Sequence, residues 1–190
     1  MRIGVIASVL GSAALVAACD VSPARPSAAS WFSATVTGST IEGQIPSPYT
    51  YSGTGTFTTT SARRPAAPPL FLLRSEGAGA AQNDGFELSR SGDTVPGVGS
   101  YDLGAGGAGA LQMTFTQRRG AVTYRYAAET GALQITSASR DRIAGTFDFR
   151  GVFAGTCSGT AASVQCSVEP PRADAPRIAV TGSFDAVAER

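Results

Sequence analysis

Two residue types that perform much of enzyme chemistry are missing from this chain of 190 residues. There is no histidine, and all 15 basic residues are arginine, so lysine is missing too. Without histidine, a Ser-His-Asp triad is impossible, and the commonest general base and metal ligand is lacking. Without lysine, Schiff-base and Ser-Lys chemistry are excluded. The sequence therefore predicts a protein that is not an enzyme and that carries no cofactor and no metal.

Opposite charges are nearly balanced and are interspersed along the chain. The arginines against 14 acidic residues give a formal net charge of +1 at pH 7. Nucleic-acid binding needs a basic stripe that neutralises phosphates, and binding to anionic lipid by charge alone needs a polybasic cluster. The sequence has neither pattern, so we expect no nucleic-acid partner.

The N-terminal segment is apolar in a way that the rest of the chain is not. Arg2 precedes a run from Ile3 to Ala17 that consists only of apolar and small residues. A basic residue before an apolar run this short is typical of a secretory signal peptide rather than of a membrane-spanning helix. The sequence thus predicts a signal peptide over residues 1–18, helical in the precursor.

The end of this run, Val16-Ala17-Ala18-Cys19, resembles the lipobox of bacterial lipoproteins. The resemblance implies cleavage before Cys19, a diacylglycerol joined by a thioether to its sulfur and, usually, acylation of the new amino group. Ordinary cleavage that leaves a free thiol is the alternative. Residues 20–30 are rich in Pro, Ser and Ala, which is typical of a linker without a core. We therefore expect a lipid-anchored tether over residues 19–30, in the bacterial cell envelope and facing the periplasm or the cell exterior.

Two cysteines remain once Cys19 is assigned to the anchor. Cys157 and Cys166 are an even pair in a chain predicted to be exported, and disulfides persist in oxidising compartments. A disulfide between them would close a short loop and stabilise the fold by about 2.7 kcal/mol in the chain-entropy model. Two buried free thiols are the alternative. A structural zinc site is not expected, because two cysteines without histidine do not make one.

From Trp31 onward, apolar and polar residues alternate in short runs. Clear examples are residues 32–36, 111–116, 122–126 and 143–153, in which apolar residues, many of them β-branched or aromatic, alternate with polar ones. This period, with turns expected at 118–120, 129–131 and 140–141, is typical of antiparallel hairpins that bury one face. The apolar run Leu70-Phe71-Leu72-Leu73 predicts a strand buried on both faces. We expect an all-β domain over residues 31–190 with about ten strands, either an antiparallel sandwich or a meandering barrel.

Some segments of the predicted strands resemble one another and also resemble a known group of proteins. RIAGTFD at 142–148 is echoed by RIA at 177–179 and GSFD at 182–185, which we attribute to similar strand environments. The aromatic start of the first strand, GSYDL at 99–103, GALQITS at 131–137 and RIAGTFDF at 142–149 resemble segments of β-rich bacterial envelope lipoproteins of unknown function. This resemblance covers roughly residues 31–153. It implies a fold and a location, and it transfers no catalytic residue.

Carboxylate-pair chemistry of the glycosidase type is the catalysis that the missing residue types leave open. Asp148 and Asp185 each follow a phenylalanine in similar local sequences, on the predicted polar faces of strands. On neighbouring strands the two carboxylates could approach each other. The alternative, which we favour, is that each pairs with an arginine such as Arg125 or Arg150 across the sheet.

Two further patterns have a structural explanation that we favour over a binding role. Residues 104–109 satisfy the spacing G-x-G-x-x-G, but a dinucleotide site needs that motif between a strand and a helix, so we interpret it as a flexible loop. Tyr49, Tyr51, Tyr124 and Tyr126 could line a ligand surface, but their period-2 spacing places most of them in the core.

These patterns together predict a lipid-anchored envelope domain with a non-catalytic binding role or a structural accessory role. The expected partners are the membrane, through the N-terminal lipid, and an unknown envelope protein or small ligand. One alternative is a carrier whose barrel encloses an apolar cavity. The other is a carboxylate-dependent hydrolase.

Overall fold

The computed structural model describes residues 29–40, 43–44, 48–60, 70–78, 84–104, 110–160, 163–170 and 172–189. Eleven β-strands make up most of these residues. The predicted signal peptide, Cys19 and residues 20–28 of the tether lie outside these residues. Within the described ranges, no helix is long and apolar enough to cross a membrane. The strands are β1 Trp31–Thr40, β2 Gly43–Gln44, β3 Tyr49–Thr60, β4 Leu70–Gly77, β5 Gly85–Ser91, β6 Gly99–Leu103, β7 Gln112–Arg119, β8 Val122–Ala138, β9 Arg142–Thr160, β10 Ser163–Cys166 and β11 Arg177–Ala188.

The strands form one sheet that closes on itself. Their hydrogen-bonded order is β10-β9-β11-β1-β3-β4-β5-β7-β8-β6, and the long hairpin of β8 and β9 closes the ring. Pairing between the strands is antiparallel except for a short parallel contact between the end of β11 and β3. The all-β prediction is confirmed, and closure of the sheet makes the fold a barrel rather than a two-sheet sandwich.

The barrel has two ends, which the strand directions define. At the end that we call the tether end, β1 begins at Trp31 on the wall, short of the rim, because β11 and β3 pair with each other directly beyond it. The β5–β6 loop (residues 92–98), the β8–β9 turn (residues 139–141) and the end of β11 lie at the same end. At the opposite end, the hairpin end, β3 begins, β4 and β7 end, and β10 pairs with the end of β9 beyond the start of β11, while β9 stays paired with β8 on its other side.

Inward-facing residues form one hydrophobic core, as the alternation predicts. On β1, Phe32, Ala34 and Val36 are at most 2% exposed, while the residues between them face outward. The apolar run at 71–73 is buried at every position, in agreement with the expectation for Leu70–Leu73. Burying one face of each strand in a shared interior explains the period of two in the sequence.

One predicted turn is wrong. Residues 129–131 do not end a strand, because β8 runs without a break from Val122 to Ala138. A register shift between Ala128 and Thr130 marks a β-bulge at this point. Gly131 is needed here for close approach, since a Cβ atom at this position would lie 2.3 Å from the carbonyl oxygen of Asp148. The sequence Glu-Thr-Gly therefore interrupts the alternation without turning the chain.

Candidate functional site

Aromatic rings fill the middle of the barrel. Phe32 on β1 stacks on Phe86 of β5 with ring centroids 5.0 Å apart, although two other strands separate β1 from β5 in the ring. Phe147 on β9 contacts both rings, at 5.3 Å from Phe32 and 5.8 Å from Phe86. Because rings from opposite walls are in contact, the barrel at this level is a packed core rather than a ligand cavity.

Two of the four tyrosines that were candidates for a ligand surface belong to this core. Tyr51 and Tyr126 are fully buried, and Tyr49 and Tyr124 are partly buried against the same cluster. The Tyr51 ring packs edge-on against aromatic rings of β1 and β5. Its hydroxyl shares a hydrogen bond of 2.8 Å with the hydroxyl of Ser75 on β4. The prediction of a core position is thus confirmed for Tyr51 and Tyr126, while Tyr49 and Tyr124 pack against the core and are only partly buried.

A buried ionic cluster lies at the hairpin end. Asp84, which precedes β5, has only 2% of its side chain exposed. Its Oδ2 accepts a hydrogen bond from the Tyr49 hydroxyl at 2.6 Å. Its Oδ1 accepts one from the backbone N–H of Arg118 at 3.0 Å and one from the Arg119 guanidinium at 3.3 Å. A buried carboxylate needs such partners, since an unpaired buried charge is strongly destabilising.

The Asp84 cluster connects three parts of the chain that are distant in sequence. Tyr49 begins β3, Asp84 leads into β5, and Arg119 ends β7. Because both carboxylate oxygens are engaged in hydrogen bonds, the group holds the entry to β5 in place. Sequence reasoning missed this cluster, because nothing in the local sequence distinguishes Asp84 from an ordinary solvated loop acid.

The two tyrosine hydroxyls beside the cluster hold their protons strongly. Burial raises the pKa of Tyr51 from its ordinary value of 10.0 to about 12, although the hydrogen bond with Ser75 acts in the opposite direction. Burial is also the largest cause that raises the pKa of Tyr49 far above its ordinary range, followed by its hydrogen bond to the Asp84 carboxylate. At neutral pH both groups are therefore neutral hydroxyls.

The two aspartates that were candidates for a catalytic pair do not meet. In the β9–β11 register, Asp148 lies opposite Thr181 and Asp185 lies opposite Ala144, which places them four positions apart. At about 3.3 Å per residue this offset is about 13 Å, beyond the separation of glycosidase carboxylates. Asp185 is instead held by both Nε and Nη2 of Arg142, at 2.6 and 2.9 Å.

The expectation that each of these two aspartates pairs with an arginine across the sheet is confirmed for Asp185 only. Asp185 pairs with an arginine on the neighbouring strand, as expected for a structural role, although the partner is Arg142 and neither of the arginines suggested by the sequence. Asp148 is exposed, and it forms no ion pair with another residue in the described ranges.

The outer wall carries a polar groove of about 300 Å³ across β3, β4, β5 and β7. Three carboxylates line it, from Glu76, Glu87 and Glu189, together with the guanidinium of Arg74. Arg74 and Glu87 approach to 3.4 Å, but both side chains are largely exposed, so this pair contributes little to stability. Among the described residues, no three acidic or cysteine side chains are placed to hold a metal ion. The groove is an exposed polar surface that offers groups for hydrogen bonding and ion pairing.

The predicted disulfide between Cys157 and Cys166 is confirmed. The two residues are register partners in the β9–β10 hairpin, with Cα atoms 4.0 Å apart. Cys166 is exposed, so the bond lies on the surface of the hairpin rather than in the core. The lipidation predicted at Cys19 falls outside the described residues, as does most of the glycine-rich segment 104–109.

The features that stand out among the described residues are the packed interior, the Asp84 cluster and the polar groove. Comparison of the chain with protein-family models, with curated proteins and with solved structures finds no match.

Proposed function

We propose that this protein is a lipid-anchored β-barrel domain of the bacterial cell envelope, with a non-catalytic binding role or a structural accessory role. The observation that carries the proposal is the disulfide between Cys157 and Cys166. Disulfides persist in oxidising compartments, so the bond supports export. It also pairs two of the three cysteines and leaves Cys19, at the end of the apolar N-terminal run, as the one available for the lipid.

The packed interior favours a role for the outer surface over carriage of an apolar ligand. Phe32, Phe86 and Phe147 come from different walls of the barrel and touch in its middle. A carrier of the lipocalin type needs that volume for its ligand. A binding role would therefore use the outer wall or the barrel ends, where polar side chains and loops are exposed.

The test is metabolic labelling of the full chain in a bacterial host with radioactive palmitate. We expect label in the wild-type protein and in the membrane fraction, and none in Cys19→Ser. The matched control is the double variant Cys157→Ser/Cys166→Ser, which keeps Cys19 and should be labelled as strongly as the wild type. An unlabelled, freely soluble product from the full wild-type chain would overturn the proposal.

A further inference from the structure

Trp31 lies on the outer wall of the barrel, next to the polar groove. It is 45% exposed, so a large part of its indole ring faces solvent. The β1–β3 register, in which Phe32 lies opposite Gly53, places Thr54 beside Trp31 on the neighbouring strand. Thr54 in turn lies opposite Glu76 on β4. The indole and the Glu76 carboxylate, which lines the groove, are thus outward-facing members of one row across the sheet.

The same row continues through the groove. The antiparallel β4–β5 register brings Gly85 beside Glu76, and Gly85 lies opposite Thr116 on β7. Because Gly85 has no side chain, the row has a gap between the carboxylate and the Thr116 hydroxyl. Neighbouring strands are about 4.8 Å apart, so the distance along the wall from Trp31 to this gap is on the order of 14 Å. The indole and the groove therefore form one continuous strip of the outer wall.

The groove offers both donors and acceptors of hydrogen bonds. Glu76 forms no ion pair or hydrogen bond with another described residue, so its carboxylate is available as an acceptor. Arg74 and Glu87 are paired but largely exposed, so a ligand can share their N–H groups and oxygens. The hydroxyls of Thr56 and Thr116 donate within the protein and remain able to accept. The groove therefore suits a ligand that carries many hydroxyls.

A pyranose sugar matches both parts of this strip. One face of the ring consists of C–H groups, which pack on an aromatic ring such as the Trp31 indole, and the hydroxyls at its rim both donate and accept. The groove volume of about 300 Å³ is at the lower end of the range for ligand sites, which suits a small polar ring. We propose that Trp31 and the polar groove together bind a neutral glycan chain, with one ring stacked on the indole and a later ring in the gap at Gly85.

The charge of the groove separates this ligand from its competitors. Among the described residues that line it, three carboxylates stand against one guanidinium, so an anionic sugar is repelled. A basic peptide is the competing ligand, but salt weakens its attraction to exposed carboxylates. Stacking on the indole and hydrogen bonds to hydroxyls are not weakened in this way, and they favour the glycan. This inference rests on the binding role of the proposed function but not on its lipid anchor.

The sole tryptophan of the chain makes binding directly measurable, because all tryptophan emission comes from position 31. The probes are cellotetraose, maltotetraose and tetra-N-acetylchitotetraose, added to the full chain carrying Cys19→Ser, which cannot be lipidated. We expect at least one of these sugars to shift the emission maximum to shorter wavelength and to weaken quenching by aqueous acrylamide several-fold. Calorimetric titration gives the dissociation constant, which should be the same at low and high salt.

Two variants test the two parts of the strip separately. Trp31→Ala should weaken binding of the best probe at least tenfold, and Glu76→Gln, which keeps the shape of the side chain, should weaken it several-fold. The matched controls are Val98→Ala, an exposed apolar residue of the β5–β6 loop, and Glu169→Gln, an exposed acid outside the groove, and both should bind like the parent protein. A cooperative urea transition verifies that each variant is folded.

Three results would overturn the inference. The first is that the folded chain binds none of the three sugars, and the second is that Trp31→Ala and Glu76→Gln leave binding unchanged. The third is that only an oligo-arginine peptide binds, with an affinity that is lost at high salt, which would assign the groove to a basic partner. None of these results bears on the lipid anchor, which palmitate labelling tests separately.

Discussion

Phe147 on β9 packs over Gly182, its register partner on β11. A Cβ atom at position 182 would lie 2.4 Å from Cζ of Phe147. The relationship is reciprocal, because Phe184 on β11 faces Gly145 on β9, and a Cβ atom there would lie 3.2 Å from Cζ of Phe184. The two echoed segments, GTFD and GSFD, thus pair with each other antiparallel, and each ring occupies the space above the glycine of the other. This cross-strand exchange is a physical reason for the echo that requires no duplication.

Replacing Gly182 should therefore be costly. In Gly182→Ala the new methyl group clashes with the Phe147 ring and with the carbonyl oxygen of Ser33, so the free energy of unfolding should fall by about 1–3 kcal/mol. Urea unfolding measures this change. In the control Gly97→Ala, the nearest atom to the new methyl is 4.0 Å away, and the change should stay within about 0.5 kcal/mol. Equal stabilities of the two variants would contradict the packing argument.

The Asp84 cluster should contribute strongly to stability. Asp84→Ala leaves the Tyr49 hydroxyl and the backbone N–H of Arg118 without their acceptor, and we expect a loss of about 2–4 kcal/mol in the free energy of unfolding. Chemical denaturation provides the measurement. The control is Asp148→Ala, which removes an exposed acid with no ion pair among the described residues and should cost less than about 0.5 kcal/mol. A similarly small loss of stability in both variants would show that water can take the place of the carboxylate as the acceptor for the Tyr49 hydroxyl and the Arg118 N–H.

Stability should decrease at high pH because of the buried tyrosines. Burial raises the pKa of Tyr51 to about 12 from 10.0, so the folded state retains a proton that the unfolded state loses first. Because the folded pKa is raised, the contribution is fully present below about pH 10 and is lost as the pH rises towards about 12. Urea midpoints measured across this interval should fall in the wild type and fall less steeply in Tyr49→Phe/Tyr51→Phe. An equal slope in both proteins would assign the alkaline transition to other groups.

The disulfide should stabilise the barrel by lowering the conformational entropy of the unfolded chain. Cys157→Ser/Cys166→Ser should lower the free energy of unfolding by about 2.7 kcal/mol, because the open chain gains the entropy of a loop that the bond closes. Unfolding with and without reductant gives the comparison, and the double variant should be insensitive to reductant. A much smaller loss would mean that β10, which pairs only with β9, detaches independently of the barrel.

Much of the local structure follows from the residue pattern. The alternation on β1 predicts that Phe32, Ala34 and Val36 face the interior, and all three are buried. The pattern fails where a glycine is present for a tertiary reason. Gly131 looks like part of a turn, yet it lies within β8, because the adjacent strand approaches too closely for a side chain. A single sequence does not separate these two uses of glycine, since both leave a gap in the alternation.

The sequence by itself determined the all-β class and the buried face of most strands, because both depend on a period of two. It predicted the pairing of Cys157 with Cys166 but left two free thiols as the alternative, which the structure decided. The tertiary structure alone decided the closure of the ring through β8 and β9, the union of Tyr49, Asp84 and Arg119, and the separation of Asp148 from Asp185. Strand order and register arise from packing between residues far apart in the chain. The alternation of apolar and polar residues predicts which face of a strand is buried, but it does not predict which strand lies beside that strand.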